Sequence, residues 1–259
     1  MNFKIRFLLL LTSCWLLTFF VFAEEGNNHY GLLFQQANQH YTNGEFEQAS
    51  ALYTEIANAD YESGELYYNL GNSYFKIGMI PVAILYYEKA KKLSPSDKDI
   101  EFNLQLANRR ITDNIDPLPE FFTTKIWNNL INATSVDNWG NWTIIFIFWG
   151  LLSVTLYLLS NSVFLRKIFF LVGVVSIAFS AVSYFSAMEQ ESKLMAKSEA
   201  IVFTPTITVQ SSPDENSTDL FVIHEGTKVK LLQEVNGWYK ISLLDGNIGW
   251  LKRADVEVI

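Results

Sequence analysis

The 259-residue chain is 49% hydrophobic and 15% aromatic but only 18% charged, with a net charge of -8 and a sequence pI near 4.9. Such apolar content excludes a disordered chain, and the acidic balance argues against a nucleic-acid binder, whose footprint would be basic. The averages conceal three apolar blocks separated by ordinary soluble sequence, the pattern of a membrane protein with soluble parts.

At the N-terminus, Lys4 and Arg6 precede an apolar run from Phe7 to Phe22 that closes in Val21-Phe22-Ala23 before Glu24-Glu25. A basic start, an apolar core and a small residue at the cut read as a signal peptide over residues 1–23, cleaved after Ala23. Two alternatives stand beside it: an uncleaved anchor, and a lipoprotein signal with Leu11-Thr12-Ser13-Cys14 as lipobox. All three export the region from Glu24 onward. Cys14 is the single cysteine, so the soluble regions offer no disulfide, cysteine-held metal or thiol nucleophile.

Residues 24–116 carry an internal repeat. Asn38 recurs as Asn72, Gly44 as Gly78, Ala49 as Ala83 and Tyr53 as Tyr87, each 34 residues apart. Small residues at helix crossings with aromatics between them, at this period, make the tetratricopeptide pattern, with copies at 30–63 and 64–97. Gly71, Ala83 and Ala90 let helices approach closely while Tyr74 and Tyr87 fill the gaps, so most of the pattern is packing. Two repeats bury too little on their own. Residues 97–110 supply a capping helix through the row Ile100, Leu104 and Ala107, and Asn103 falls 34 after Asn69. Ile111–Pro119 reads as a linker towards the membrane.

Residues 117–141 continue as linker and amphipathic helix, with Phe122, Ile126 and Leu130 four apart and Trp127 and Ile131 beside them. That stripe either lies in the outer leaflet or packs on the soluble domain. Residues 142–160 and 168–188 are uncharged runs, each long enough for a hydrocarbon core of about 30 Å. The loop 161–167 holds Arg166 and Lys167, which favours the cytoplasmic side, and span parity then exports both soluble regions. Trp139 and Trp142 suit an interfacial belt, and Trp149 either joins it or packs between the helices.

From Ser198 to Ile259 the pattern turns to short alternating strands separated by Glu225-Gly226, Asn236-Gly237 and Asp245-Gly246. Five or six strands in about sixty residues suggest a small barrel. Glu225-Gly226-Thr227, Gly237-Trp238-Tyr239 and Gly249-Trp250-Leu251 resemble a bacterial SH3 domain. Trp238, Tyr239 and Trp250 are its candidate ligand groove. Trp238 and Trp250 either line that groove or close the barrel, with a core role expected for at least one.

The fold class is therefore a multidomain membrane protein with all-α tetratricopeptide helical repeats, two transmembrane helices and a small all-β SH3-like barrel. His29, His40 and His224 lie far apart, and HExxH, GxSxG, Walker and GxGxxG sequences are absent. No enzyme, cofactor or metal site is expected.

The order signal peptide, two repeats, paired spans and terminal SH3 resembles the Bacteroides aerotolerance operon protein E (BatE-like) family. The joint Asn108-Arg109-Arg110-Ile111-Thr112-Asp113 followed by Pro117-Leu118-Pro119-Glu120-Phe121-Phe122 is similar to that family's link into the membrane. The resemblance implies a non-enzymatic partner of membrane-anchored von Willebrand A-type Bat proteins in an envelope complex of the inner membrane. Likeness to tetratricopeptide domains also assigns the concave face to the first helix of each repeat, here Phe34, Asn38, Tyr41, Asn72, Phe75 and Lys76. Phe34 stands where carboxylate-clamping domains carry a base, so an internal or apolar segment is the expected ligand. The competing reading has Asn38 and Asn72 capping local backbone groups. A cell-wall receptor binding peptidoglycan through the SH3-like domain is the alternative function.

Overall fold

In the computed structural model, which describes residues 28–119 and 121–259, the period-34 region folds as successive helical hairpins. They comprise α1 (Asn28–Thr42), α2 (Phe46–Asn58), α3 (Gly64–Ile77), α4 (Ile80–Leu93) and a single further helix, α5 (Lys98–Asn108). The signal segment, with Cys14 and the cleavage point at Ala23, lies outside the described residues. Local chemistry sets the helix ends. Ser63 accepts from the Leu66 N–H at the start of α3, and Asp97 accepts from Asp99 and Ile100 at the start of α5. Each cap satisfies donors that a helix start leaves unpaired. Gly78 closes α3 at φ +94°, a left-handed turn that a side chain would strain, and Pro81 occupies the first turn of α4.

Ala37, Ala49, Tyr53, Leu70, Ala83 and Tyr87 are all 1% exposed or less, so the small and aromatic positions of the repeat form its core. α5 adds Ile100, Leu104 and Ala107 to that core, but its far side leaves Phe102 65% and Leu106 37% exposed. It is thus an unpaired first helix of a further repeat, without the polar outer face of a finished cap.

Three helices come next: α6 (Phe122–Ile131), α7 (Val136–Leu159) and α8 (Val163–Met195). α7 and α8 are long and apolar enough to cross a membrane. They meet along small residues, Gly150 and Ser153 on α7 against Gly173, Ser176, Ser180 and Ser183 on α8, while leucine, isoleucine and phenylalanine face outward. Small residues allow the close backbone approach that packing in lipid requires. Trp149 stands 56% exposed rather than packed between the helices. α8 continues as one helix beyond the apolar run, which ends at Met188, carrying the chain towards the β domain.

That domain has seven strands: β1 (Glu199–Val202), β2 (Thr206–Gln210), β3 (Asp219–His224), β4 (Lys228–Val235), β5 (Trp238–Ser242), β6 (Ile248–Lys252) and β7 (Val256–Val258). All pairs are antiparallel, in the order β3-β2-β6-β5-β4-β1-β7. Asn236 and Gly237 both take positive φ between β4 and β5, as a two-residue hairpin turn demands. β7 is an addition to the strands expected from sequence. Its three residues come after a 3-10 turn and are too few to show alternation.

The repeats and the β domain share a core. Ala200 and Val202 of β1 point into the barrel, whereas Ile201 joins the cluster of Ala83, Ile84, Tyr87, Leu104 and Ala107. All three β1 residues are fully buried, so this strand is covered on both faces.

Candidate interaction sites

The first-helix asparagines form a repeating network. Asn38 Oδ1 accepts from the Tyr53 hydroxyl and, at 3.4 Å, from Asn69 Nδ2. One repeat on, Asn72 Oδ1 accepts from the Tyr87 hydroxyl at 2.7 Å and from Asn103 Nδ2 at 2.8 Å. Every member recurs 34 residues later, so the sequence period is a period of hydrogen bonds. Burial pushes the Tyr53 phenol up to about 12 and raises that of Tyr87 as well, which keeps both hydroxyls protonated as donors. The amides therefore tie each first helix to its own second helix and to the next repeat, rather than capping backbone. Their oxygens are engaged, while the NH2 groups of Asn38 and Asn72 have no partner among the described residues.

The aromatic candidates around these amides are seated. Phe34 packs edge-on against Tyr53, and Tyr41 against Phe46, with centroids 5.6 and 5.2 Å apart. The Arg110 guanidinium stacks over Phe75 at 4.3 Å, and Lys76 is exposed beside the Phe46 ring. Arg110 thus screens Phe75, a contact invisible from the repeat pattern because Arg110 lies beyond the second copy.

In the barrel, register separates the three ligand-groove candidates. Trp238 faces Lys252 across β5 and β6, and Lys240 faces Trp250, so alternation puts both tryptophans on the outer face. Both are half-buried there, and Lys252 lies 5.8 Å from the Trp238 ring. Neither tryptophan closes the barrel, contrary to expectation. Tyr239 does so instead: it is 8% exposed and belongs to the core with Ile241 and Leu251. It is thereby set apart from the outer face that carries the two tryptophans.

The segment expected as a plain linker is a strap between modules. Asp113 accepts from the His224 N–H at 2.6 Å, the Thr227 hydroxyl at 2.7 Å and His224 Nδ1 at 2.8 Å. Burial alone would raise the Asp113 carboxyl, but these bonds outweigh it and hold the group below the ordinary carboxylate value. Ile115 packs on the barrel core, and the Leu118 N–H donates to the Leu244 carbonyl at 3.0 Å. Beside the strap, Lys228 bridges Glu88 of α4 and Glu199 of β1, each at 3.0 Å. Sequence reasoning missed the Asp113–His224 and Glu88–Lys228 pairs because their partners stand 111 and 140 residues apart. One signal was present: Glu88 follows the apolar turn Ile84-Leu85 on its own side of α4, where a buried charge requires a counter-charge.

Residues 64–97 match the tetratricopeptide repeat, and residues 206–257 match the bacterial SH3 domain. The chain combines a tetratricopeptide repeat with a bacterial SH3 domain. No curated protein matches it. Both matched domain types act as a rule by binding rather than by catalysis. Among the described residues, no three His, Cys, Asp or Glu side chains converge where a metal could sit.

Proposed function

We propose that the chain is a non-enzymatic, membrane-anchored adaptor whose repeats receive an extended segment of a protein partner. One observation carries this reading. Tyr53 and Tyr87 lock the amide oxygens of Asn38 and Asn72, leaving two oriented NH2 donors one repeat apart on the first-helix face. Such donors suit successive backbone carbonyls of a peptide and read none of its side chains. Half-buried Phe34 and Tyr41 add apolar contact, and the cations beside them, Lys76 and Arg110, lie against rings. An internal or apolar segment fits these surroundings better than a free C-terminus.

The site of action proposed is the inner membrane of a bacterial envelope, with both soluble modules on the exported side and Arg166-Lys167 in the cytoplasm. The bacterial SH3 match, the paired apolar helices and the basic connector support this placement. The resemblance to the aerotolerance operon protein E family supports a partner of the membrane-anchored von Willebrand A type. The test is photo-crosslinking from position 76 in native membranes, with Asn38→Asp and Asn72→Asp combined. Aspartate keeps an acceptor for each tyrosine but replaces the NH2 donor. Crosslinked partner should fall about tenfold, with Gln39→Glu as the charge control. Unchanged recovery from the folded double variant refutes the groove.

A second reading rests on the outward pair Trp238 and Trp250. Half-buried, outward-facing aromatic rings beside Lys240 and Lys252 suit a glycan strand with acidic stem peptides, so the SH3 domain would hold peptidoglycan. Pulldown with insoluble wall material, comparing Trp238→Ala with Trp250→Ala, separates it from the adaptor reading.

A further inference from the structure

We propose that the cleft between α6 and the docked soluble modules binds the phosphate of an anionic phospholipid headgroup. The cleft has a volume of about 890 Å³ and is enclosed by the end of α4, the polar face of α6, the extension of α8 and the start of β1. Among the described residues five lysines line it against two glutamates, in a chain whose net charge is -8. Both glutamates, Glu88 and Glu199, are taken by Lys228. Lys92 donates to the Ile259 carbonyl, and Lys193 to Asn128 with Glu189 nearby. Lys91 and Lys125 have no carboxylate partner among the described residues. Burial, joined by the charges of Lys228 and Lys89, holds the Lys92 ammonium below its ordinary value despite Glu199 and Glu88. Among the described residues the cleft is short of negative charge.

Its depth and its floor identify the kind of anion. The apolar run of α8 ends at Met188, and Lys193 stands five residues beyond, a rise of about 7 Å. That matches the headgroup layer, which adds about 5–7 Å on each side of the hydrocarbon. On α6, Lys125 and Asn129, with Asn132 at its C-cap, recur on the side that lines the cleft. On the opposite side Ile126, Trp127 and Leu130 are 52%, 45% and 39% exposed. This apolar face is unpacked, which rules against α6 burying it on the soluble domain. A lipid entering sideways meets ammonium and amide donors at its phosphate and apolar side chains at its acyl chains. A soluble phosphate would have no use for that apolar face. On the exported side, moreover, basic residues beside a span run against the usual bias, so Lys125 and Lys193 call for an anion to hold.

The inference rests on α7 and α8 crossing the bilayer, which carbonate-resistant membrane retention of the wild type checks separately. The full chain, purified in detergent, is titrated with dioleoyl phosphatidylglycerol, dioleoyl phosphatidylcholine or inorganic phosphate, and bound lipid is read by native mass spectrometry. Phosphatidylglycerol should bind preferentially, and Lys91→Gln with Lys125→Gln should weaken it about tenfold. Lys98→Gln with Arg109→Gln, the same charge change on exposed positions outside the cleft lining, should leave it unaltered. Equal binding of the two lipids, or undiminished phosphatidylglycerol binding by the cleft variant, overturns the proposal. So does displacement of phosphatidylglycerol by equimolar inorganic phosphate, which would make the cleft a site for a soluble anion.

Discussion

Gly71 and Gly31 allow one chemical change to be tested in two opposite settings. A methyl group on Gly71 would stand 2.7 Å from Cδ1 and 2.8 Å from Cε1 of Tyr87. The ring cannot swing aside freely, since Tyr87 is 1% exposed and its hydroxyl donates to Asn72. Overpacking of this kind costs about 1–3 kcal/mol, and straining the Tyr87–Asn72 bond adds about 1 kcal/mol. The better helix propensity of alanine returns about 1 kcal/mol. Gly71→Ala should therefore destabilise α3 and α4 by about 1–3 kcal/mol. Gly31 lies inside α1 with nothing within 4 Å of an added methyl, so Gly31→Ala should stabilise by about 0.5–1 kcal/mol. Hydrogen exchange of peptides from α1 to α4, measured on the full chain in detergent, reads both shifts. An isolated repeat fragment is the wrong sample because it would lose Ile201 from its core. If Gly71→Ala exchanges no faster than wild type, or both variants shift in the same direction, the close crossing at Gly71 is wrong.

Ile201→Ala should loosen both modules at once, by about 2–5 kcal/mol, seen as faster exchange in α4, α5 and β1 together. Asp113→Asn should weaken strap docking by about 2 kcal/mol, measured by proteolysis between Ile111 and Pro119. Because its folded-state pKa is depressed, the Asp113 contribution is complete above the unfolded value of about 3.9 and disappears as pH falls through the lower folded value. Proteolytic protection of the strap should follow that course in wild type and lose that component in Asp113→Asn. Asn38→Ala with Asn72→Ala should destabilise the repeats by about 1–3 kcal/mol for each tyrosine hydroxyl left unpaired; melting like wild type would deny the network. Reporter fusions should be exported at Asp113 and Ser198 and cytoplasmic at Ser162, and cytoplasmic activity at Ser198 would reverse the proposed topology.

What could be read from the sequence was whatever repeats or has a fixed length. Asn38, Tyr53, Asn69 and their copies at 72, 87 and 103 bond alike because a solenoid places equivalent residues in equivalent surroundings. The two apolar runs were legible because a bilayer imposes a length, and Asn236-Gly237 because only such a pair turns so tightly. The strap was not legible. Asp113, Ile115 and Leu118 sit among prolines and polar residues, the composition of a linker, and their partners come from the other end of the chain. Tyr239 and the two tryptophans were mixed together for a related reason. Three aromatic residues within thirteen positions look alike until register decides which alternate inward.

α4 contributes to each of these separate readings. Tyr87 fixes the Asn72 amide that faces the proposed peptide groove. The next residue, Glu88, holds Lys228 and with it the SH3 domain. One turn further, Lys91 and Lys92 line the cleft proposed to hold a lipid headgroup. Ile84, on the same helix, packs with Ile201 of β1 in a fully buried cluster. The proposed peptide groove, the SH3 contact and the proposed lipid cleft therefore all draw residues from one helix, α4.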